Sequence, residues 1–319
     1  DPLPWDWQDD GGRRVGVGLY RAQLQAGDTA LAQCLNRKLR AAGLCPRLIW
    51  VSSLRDPAVQ AGVAELLGSQ AVRLVITGTA FASVRSENAG LGSPLWEALD
   101  GPVLQLLTSG SSRAHWQQSS RGLEPLDLSL QVVMPELDGR ITTRPCSFRE
   151  ARQPSAGLAT AIPRQQPDGE GIAWLADHAS RWIDLQATAK QDRRVAMVLA
   201  NYPVRDGRLA NGVGLDTPAS VVNIISWLAQ EGYQLGTLPL PQTAVQLMQS
   251  MLAGRTNAAE GRLRPPLDHL PLSTYERWWQ TLPPEARALI QARWGDPCDA
   301  RDLDGSNGFA IHGLRFGHL

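Results

Sequence analysis

The sequence predicts an α/β protein of two Rossmann-like lobes, with mainly parallel sheets flanked by helices. Three observations carry that expectation. Short apolar runs alternate with stretches of helical period through the first half of the chain. The same alternation restarts near residue 191. The length, 319 residues, accommodates two domains of ordinary size.

In the first lobe, residues 14–20 (RVGVGLY) read as a strand. Residues 28–42 follow as a helix, with Leu31, Cys34, Leu35 and Leu39 at helical spacing and Gly43 as the stop. Residues 47–52 form a second strand, and 56–67 a helix capped by Asp56 with Pro57 in its first turn. Runs 72–78 and 103–108 are further strands, 112–120 is a short helix, and 127–134 is another strand. Residues 151–171 are rich in Pro, Gly and Gln, lack a period, and read as a linker or excursion. A helix over 172–190 leads to the second block. The expected domains are therefore 1–150, a linker and helix over 151–190, and a second α/β region over 191–319.

That second region begins with a strand at 195–200 and a helix at 218–230, whose Val221, Ile224, Ile225 and Leu228 share a face. A strand at 233–238 and a helix at 243–253 complete a βαβ unit. Residues 271–294 are helical and Trp-rich, with Trp278, Trp279 and Trp294 expected in the core. The last segment, from Gly308, reads as strand, turn and the start of another strand, as in a piece cut from a longer chain.

Composition excludes some functions. Thirty-one basic residues balance thirty-one acidic ones, which gives no support for nucleic-acid binding. Lys38 and Lys190 are the only lysines, so arginine supplies the rest of the positive charge, and arginine is the better clamp for carboxylates. No apolar run approaches the roughly 20 residues of a membrane helix. Cys34, Cys45, Cys146 and Cys298 show neither a CxxC pair nor zinc-ligand spacing, so free thiols in a reducing cytoplasm are expected.

The densest run of signals is 193–220, RRVAMVLANYPVRDGRLANGVGLDTPAS. An apolar strand breaks at Asn201-Tyr202-Pro203 into a Gly-rich loop bearing Arg and Asp, which closes on the start of a helix. Ligands of α/β proteins commonly sit in such places. This segment resembles the large subunits of cobaltochelatase and magnesium chelatase. So do PELDGR (135–140), LAGRTN (252–257), PLSTYERWWQTLP (271–283), RWGDP (293–297) and GFAIHGLRFG (308–317). The likeness extends into the first block through RRVGVGLYRAQLQAGD and the run ending in PELDGR, and GLDTPAS is more like the cobalt enzyme.

The resemblance implies a central piece of a subunit that inserts Co²⁺ into hydrogenobyrinic acid a,c-diamide. ATP and its Mg²⁺ would be used by separate AAA+ partner subunits. Consistent with that division, there is no GxxxxGK[ST] phosphate loop. Alternatives are a magnesium chelatase subunit acting on protoporphyrin, a non-catalytic tetrapyrrole-binding module, and a fragment that only docks ATPase partners.

Metal insertion requires the macrocycle to be held by its rim, two pyrrolic protons to leave, and the metal to lose water in a controlled order. In loop 201–217, Arg205 and Arg208 are expected to clamp peripheral carboxylates. Asn201, Asn211, Gly212, Gly214 and Thr217 would complete the binding surface, with glycines admitting close approach of the backbone. Asp206 and Asp216 are candidates to relay protons or metal. The plainer alternatives are an Arg–Asp surface network around Asp206 and a helix cap at Asp216 and Thr217.

Glu136 and Asp138, at the end of the predicted strand 127–134, would point the same way and repel, making a base opposite the loop. The competing reading of Asp138-Gly139 is a turn. Arg85, Glu87 and Asn88 occupy a similar loop position. Of the histidines, His312 is the candidate metal ligand, although single histidines are more often packed or at the surface; His318 also lies in the family-like terminal segment.

Overall fold

A computed structural model describes residues 13–84, 93–151, 161–201, 205–300, 303–304 and 308–319. Arg85, Glu87, Asn88, Tyr202 and Pro203 lie outside the described residues. The chain divides into two compact units, 1–187 and 188–319.

In the first unit the strands are β1 (Arg14–Tyr20), β2 (Cys45–Val51), β3 (Leu74–Thr77), β4 (Val103–Ser109), β5 (Ile141–Ala151) and β6 (Pro163–Pro167). They form one six-stranded sheet in the order β2-β1-β3-β4-β5-β6. The first five run parallel and β6 pairs antiparallel with β5. Buried on both sides, β1 and β2 are near-continuous apolar runs, as parallel strands require.

The helices are α1 (Arg21–Gln25), α2 (Ala30–Ala41), α3 (Pro57–Ser69), α4 (Pro94–Leu99), α5 (Arg113–Gln118), α6 (Pro125–Leu128), α7 (Met134–Glu136) and α8 (Gly169–Ala187). Leu31, Leu35 and Leu39 of α2 and Ile172, Leu175 and Ala179 of α8 cover one face of the sheet. Val63 and Leu67 of α3 and Leu95 and Trp96 of α4 cover the other. Asp56 caps α3 through the Ala58 N–H at 2.9 Å, as its position predicts. Because α8 packs into the first core, the segment read as linker and helix contributes its helix to that unit's packing.

Residues 127–134 are helical, not a strand. Between α6 and α7 the residues Ser129–Val133 form a π-helical turn. The reason lies in two polar side chains. Asp127 accepts the Gly110 N–H at 2.6 Å. Gln131 accepts the Thr108 N–H at 2.9 Å and donates to the Thr108 carbonyl at 2.7 Å. These bonds tie a helical segment to the end of β4 and leave Leu126, Leu128, Val133 and Leu137 exposed.

In the second unit, α9 (Thr217–Gln230) and α10 (Ala244–Ala253) are followed by β7 (Asp268–Leu270), α11 (Leu272–Thr281), α12 (Pro284–Trp294) and β8 (Phe309–Ile311). Its core gathers Val221, Ile225, Leu235, Leu247 and Phe316, with Met197 and Leu199 packed against them. The α/β class holds, but the described strands of this unit are the short antiparallel pair β7–β8 rather than a parallel sheet. Residues 195–200 alternate between partly buried and exposed, yet they and 233–238 form no strand. The single Trp-rich helix is broken at Leu282-Pro283. Of its tryptophans Trp279 is buried, whereas Trp278 and Trp294 are exposed.

Candidate functional site

Loop 205–217 is shaped by its own short-range bonds. Asn201 bridges to Leu209, and Gly212 to Leu215. Gly214 takes a left-handed conformation (φ 76°) in the second of these turns. A Cβ on Gly212 would meet the Thr217 hydroxyl at 2.7 Å, so a larger residue there must displace that side chain. Ala210 is buried with φ 57°, a strained position for a residue with a side chain.

The loop's charges separate into used and free. Asp206 accepts the Thr256 hydroxyl at 2.6 Å and pairs with Arg264 at 3.3 Å. Arg205 and Arg208, which the plainer reading joined to Asp206 in a surface network, are exposed and have no side-chain partner among the described residues. Asp216 caps α9 by accepting the Ala219 N–H at 3.0 Å. Asn211 is partly buried, with its N–H on the Arg208 carbonyl at 3.2 Å. Val213 and Leu215 stand exposed between the arginines and the helix, an apolar surface beside two cations. Arg264 and Thr256 escaped the sequence reading, although Thr256 lies in the LAGRTN segment.

Beneath the loop lies a largely apolar cavity of about 430 Å³. Segment 195–199, Val221 and Ile225 of α9, Leu247 and Met251 of α10, and residues 312–316 wall it. Asn201 lies on its wall, and both amide atoms of that side chain are buried without a partner. His312 also lines it. Among the described residues, no three His, Cys, Asp or Glu side chains come together as metal ligands would. His269 instead pairs with Asp304 at 3.0 Å, and His318 with the Gln191 carbonyl at 3.1 Å.

In the first unit Glu136 and Asp138 do not project side by side, because they end a helix rather than a strand. Glu136 is exposed and takes one hydrogen bond, from Thr142 at 3.2 Å. Asp138 is wholly buried, accepting the Ser83 N–H at 2.6 Å, the Ser83 hydroxyl and the Arg140 guanidinium at 3.1 Å. Arg140 also donates to the carbonyls of Thr79 (2.9 Å) and Phe81 (3.0 Å) and to the Gln105 amide oxygen (3.0 Å), and lies 5.4 Å from the Trp96 ring. Burial pulls its pKa down, against the opposing pull of Asp138. The network pins the turn after β3.

The strand order reverses between β1 and β3, a place where α/β sheets bind ligands. Here the Tyr20 hydroxyl spans it, donating to the Ala80 carbonyl at 3.2 Å. Burial raises the Tyr20 pKa. Neither Tyr20 nor Arg140 was singled out from sequence, though Arg140 ends the PELDGR motif.

The family model described as CobN/magnesium chelatase matches residues 3–319. The aerobic cobaltochelatase subunit CobN of a Sinorhizobium species is 38% identical over 96% of this chain, and that of Pseudomonas aeruginosa 39% over 98%. The solved catalytic subunit of cobaltochelatase from Mycobacterium tuberculosis superposes with a TM-score of 0.76 at 30% identity over 98% of this chain. The chain spans about a quarter of each of these proteins: 24% of the two relatives and 26% of the solved structure. It belongs to the CobN/magnesium chelatase family.

Proposed function

We propose that this chain is the part of a cobaltochelatase large subunit that holds hydrogenobyrinic acid a,c-diamide by its acidic rim while Co²⁺, the substrate metal, is inserted. The observation that carries the reading is the pair of free guanidinium groups, Arg205 and Arg208, on a loop whose own aspartate is already neutralised by Arg264. Arginines relieved of internal partners are available to carboxylates of a ligand, and charge-assisted pairs of this kind are the strong ones. Val213 and Leu215 offer apolar surface to the macrocycle between them. Gly212 and Gly214 let the backbone come close.

The acidic residues take different parts. Asp206 and Asp216 position the loop, through Thr256 and Arg264 and through the cap of α9. Asp138 positions the turn after β3, and Glu136 is an exposed carboxylate with a single hydrogen bond, from Thr142. His312 is retained as the candidate metal contact. ATP hydrolysis, with its Mg²⁺, is assigned to separate AAA+ subunits, in keeping with the missing phosphate loop. No described helix is long and apolar enough to cross a membrane. The four cysteines are free thiols, which fits a reducing cytoplasm. The greater likeness to the cobalt subunits favours the corrinoid over protoporphyrin and Mg²⁺.

The test is a titration of the chain with hydrogenobyrinic acid a,c-diamide and with protoporphyrin, followed by absorbance and tryptophan quenching. Binding of the corrinoid is expected, weakened about tenfold or more in the Arg205→Ala/Arg208→Ala double variant. Equal affinity in the double variant overturns the assignment of the loop.

A further inference from the structure

Asp206 ties loop 205–217 to a second turn, formed by residues 255–265. That turn closes on itself through the Arg255 N–H, which donates to the Pro265 carbonyl at 3.0 Å. Within it Glu260–Leu263 make a 3-10 turn. Thr256 and Ala258 are buried at its base, and Gly261 lies so close over Thr256 that a Cβ there would overlap the threonine side chain. The hydroxyl that Gly261 covers is the one that donates to Asp206 at 2.6 Å. Arg264 completes the tie, donating to Asp206 at 3.3 Å and to the Leu252 carbonyl, near the end of α10, at 2.6 Å. Both turns are thereby fixed to one carboxylate and, through Leu252, to a helix.

What this framework holds out to solvent is apolar. Leu263, next to the tied Arg264, is 97% exposed, and Val213 of the loop is wholly exposed. Isolated apolar side chains at a surface are ordinary. Here Leu263, Val213 and Leu215 stand on two turns braced through the same aspartate, and Arg205 and Arg208 share the loop with two of them. The bonds that shape the turns are made by main chain, Thr256, Arg264 and Asp206, so none of the three aliphatic side chains is needed to form them. Rigidly mounted aliphatic groups beside cations match a ligand that is apolar across its body and acidic at its edge.

We propose that turn 260–264 is a second wall of the tetrapyrrole site, with Leu263 in contact with the body of the macrocycle while Arg205 and Arg208 take its carboxylates. This rests on the assignment of loop 205–217 to the tetrapyrrole and adds a binding residue from outside that loop. The two kinds of contact respond differently to salt. Pairing of exposed charges is screened, whereas burial of a leucine is not.

The experiment is titration of the chain with hydrogenobyrinic acid a,c-diamide at low salt and at about 0.5 M salt, where screening is strong. Leu263→Ala is expected to weaken binding about tenfold under both conditions, the loss that follows when a leucine gives up much of its burial. Leu263→Met is expected to restore the affinity, because it returns a side chain of similar volume. The loss in Arg205→Ala/Arg208→Ala is expected to shrink as salt rises. Leu289→Ala, which alters an exposed leucine of α12 away from both turns, is expected to leave affinity unchanged. Unchanged affinity in Leu263→Ala, with binding still lost in the arginine variant, overturns the second wall and leaves the loop standing. A Leu263→Ala loss that disappears at high salt, or an equal loss in Leu289→Ala, also overturns the wall alone. No binding by the unaltered chain overturns the wall and the loop together.

Discussion

The two units follow one pattern of alternating strand and helix but differ in how far their main chain is paired. In the first, every long strand has a neighbour, helices cover both faces, and the polar end of one face is bonded by Arg140. In the second, residues 195–200, which read as a strand in sequence, alternate between partly buried and exposed yet belong to no strand. Apolar periodicity therefore reports which side chains turn inward, but pairing is decided by segments remote in sequence. The first unit buries the Asp138–Arg140 pair, whereas the loop of the second presents Arg205 and Arg208 at the surface.

The sharpest way to break this contrast is Arg140→Met. It leaves the Asp138 carboxylate buried without its cation, and breaking a buried pair from one side costs about 3–5 kcal/mol. Urea unfolding followed by hydrogen exchange of β1 and β4 should show the loss in the first unit alone. A loss below about 1 kcal/mol, within the range of an exposed pair, would mean that the network is not what holds the turn after β3.

A smaller effect is expected from Asp216→Ala in the second unit. Removing the cap of α9 should cost about 1 kcal/mol, read as faster exchange in the first turns of that helix, with tetrapyrrole affinity unchanged. A fall in affinity matching that of the arginine variants would assign Asp216 to the ligand instead.

The smallest concerns pH and the β7–β8 pair. A backbone N–H of His269 and the Arg315 guanidinium hold Asp268 below its usual pKa, and His269 and Arg255 do the same for Asp304. Depressed carboxylates stabilise the folded state above the unfolded value of about 3.9 and lose that contribution as pH falls through their folded values. The second unit's urea midpoint should therefore decline below about pH 4, while Asp268→Asn/Asp304→Asn flattens the decline.

Much of the fold could be read locally. The helical spacing of Leu31, Leu35 and Leu39 and the Asp56-Pro57 start mark elements whose determinants lie within a few residues. The misreading of 127–134 has a non-local cause: Asp127 and Gln131 are held by Gly110 and Thr108 of another segment. The candidate site divides in the same way. Its loop, its turn glycines and the capping alternative at Asp216 are visible in the order of residues. That Asp206 belongs to Arg264, and Asp138 to Arg140 and Ser83, depends on how distant segments meet. Sequence supplied the right residue types there but not which of them are spent on one another.

The most direct measurement is the hydrogen-exchange footprint of hydrogenobyrinic acid a,c-diamide on the intact chain. Protection concentrated in 205–217, and lost in Arg205→Ala/Arg208→Ala while the first unit's β1–β4 amides stay unchanged, is the predicted result. Protection confined to the first unit, or a loop footprint that survives removal of both arginines, would contradict it.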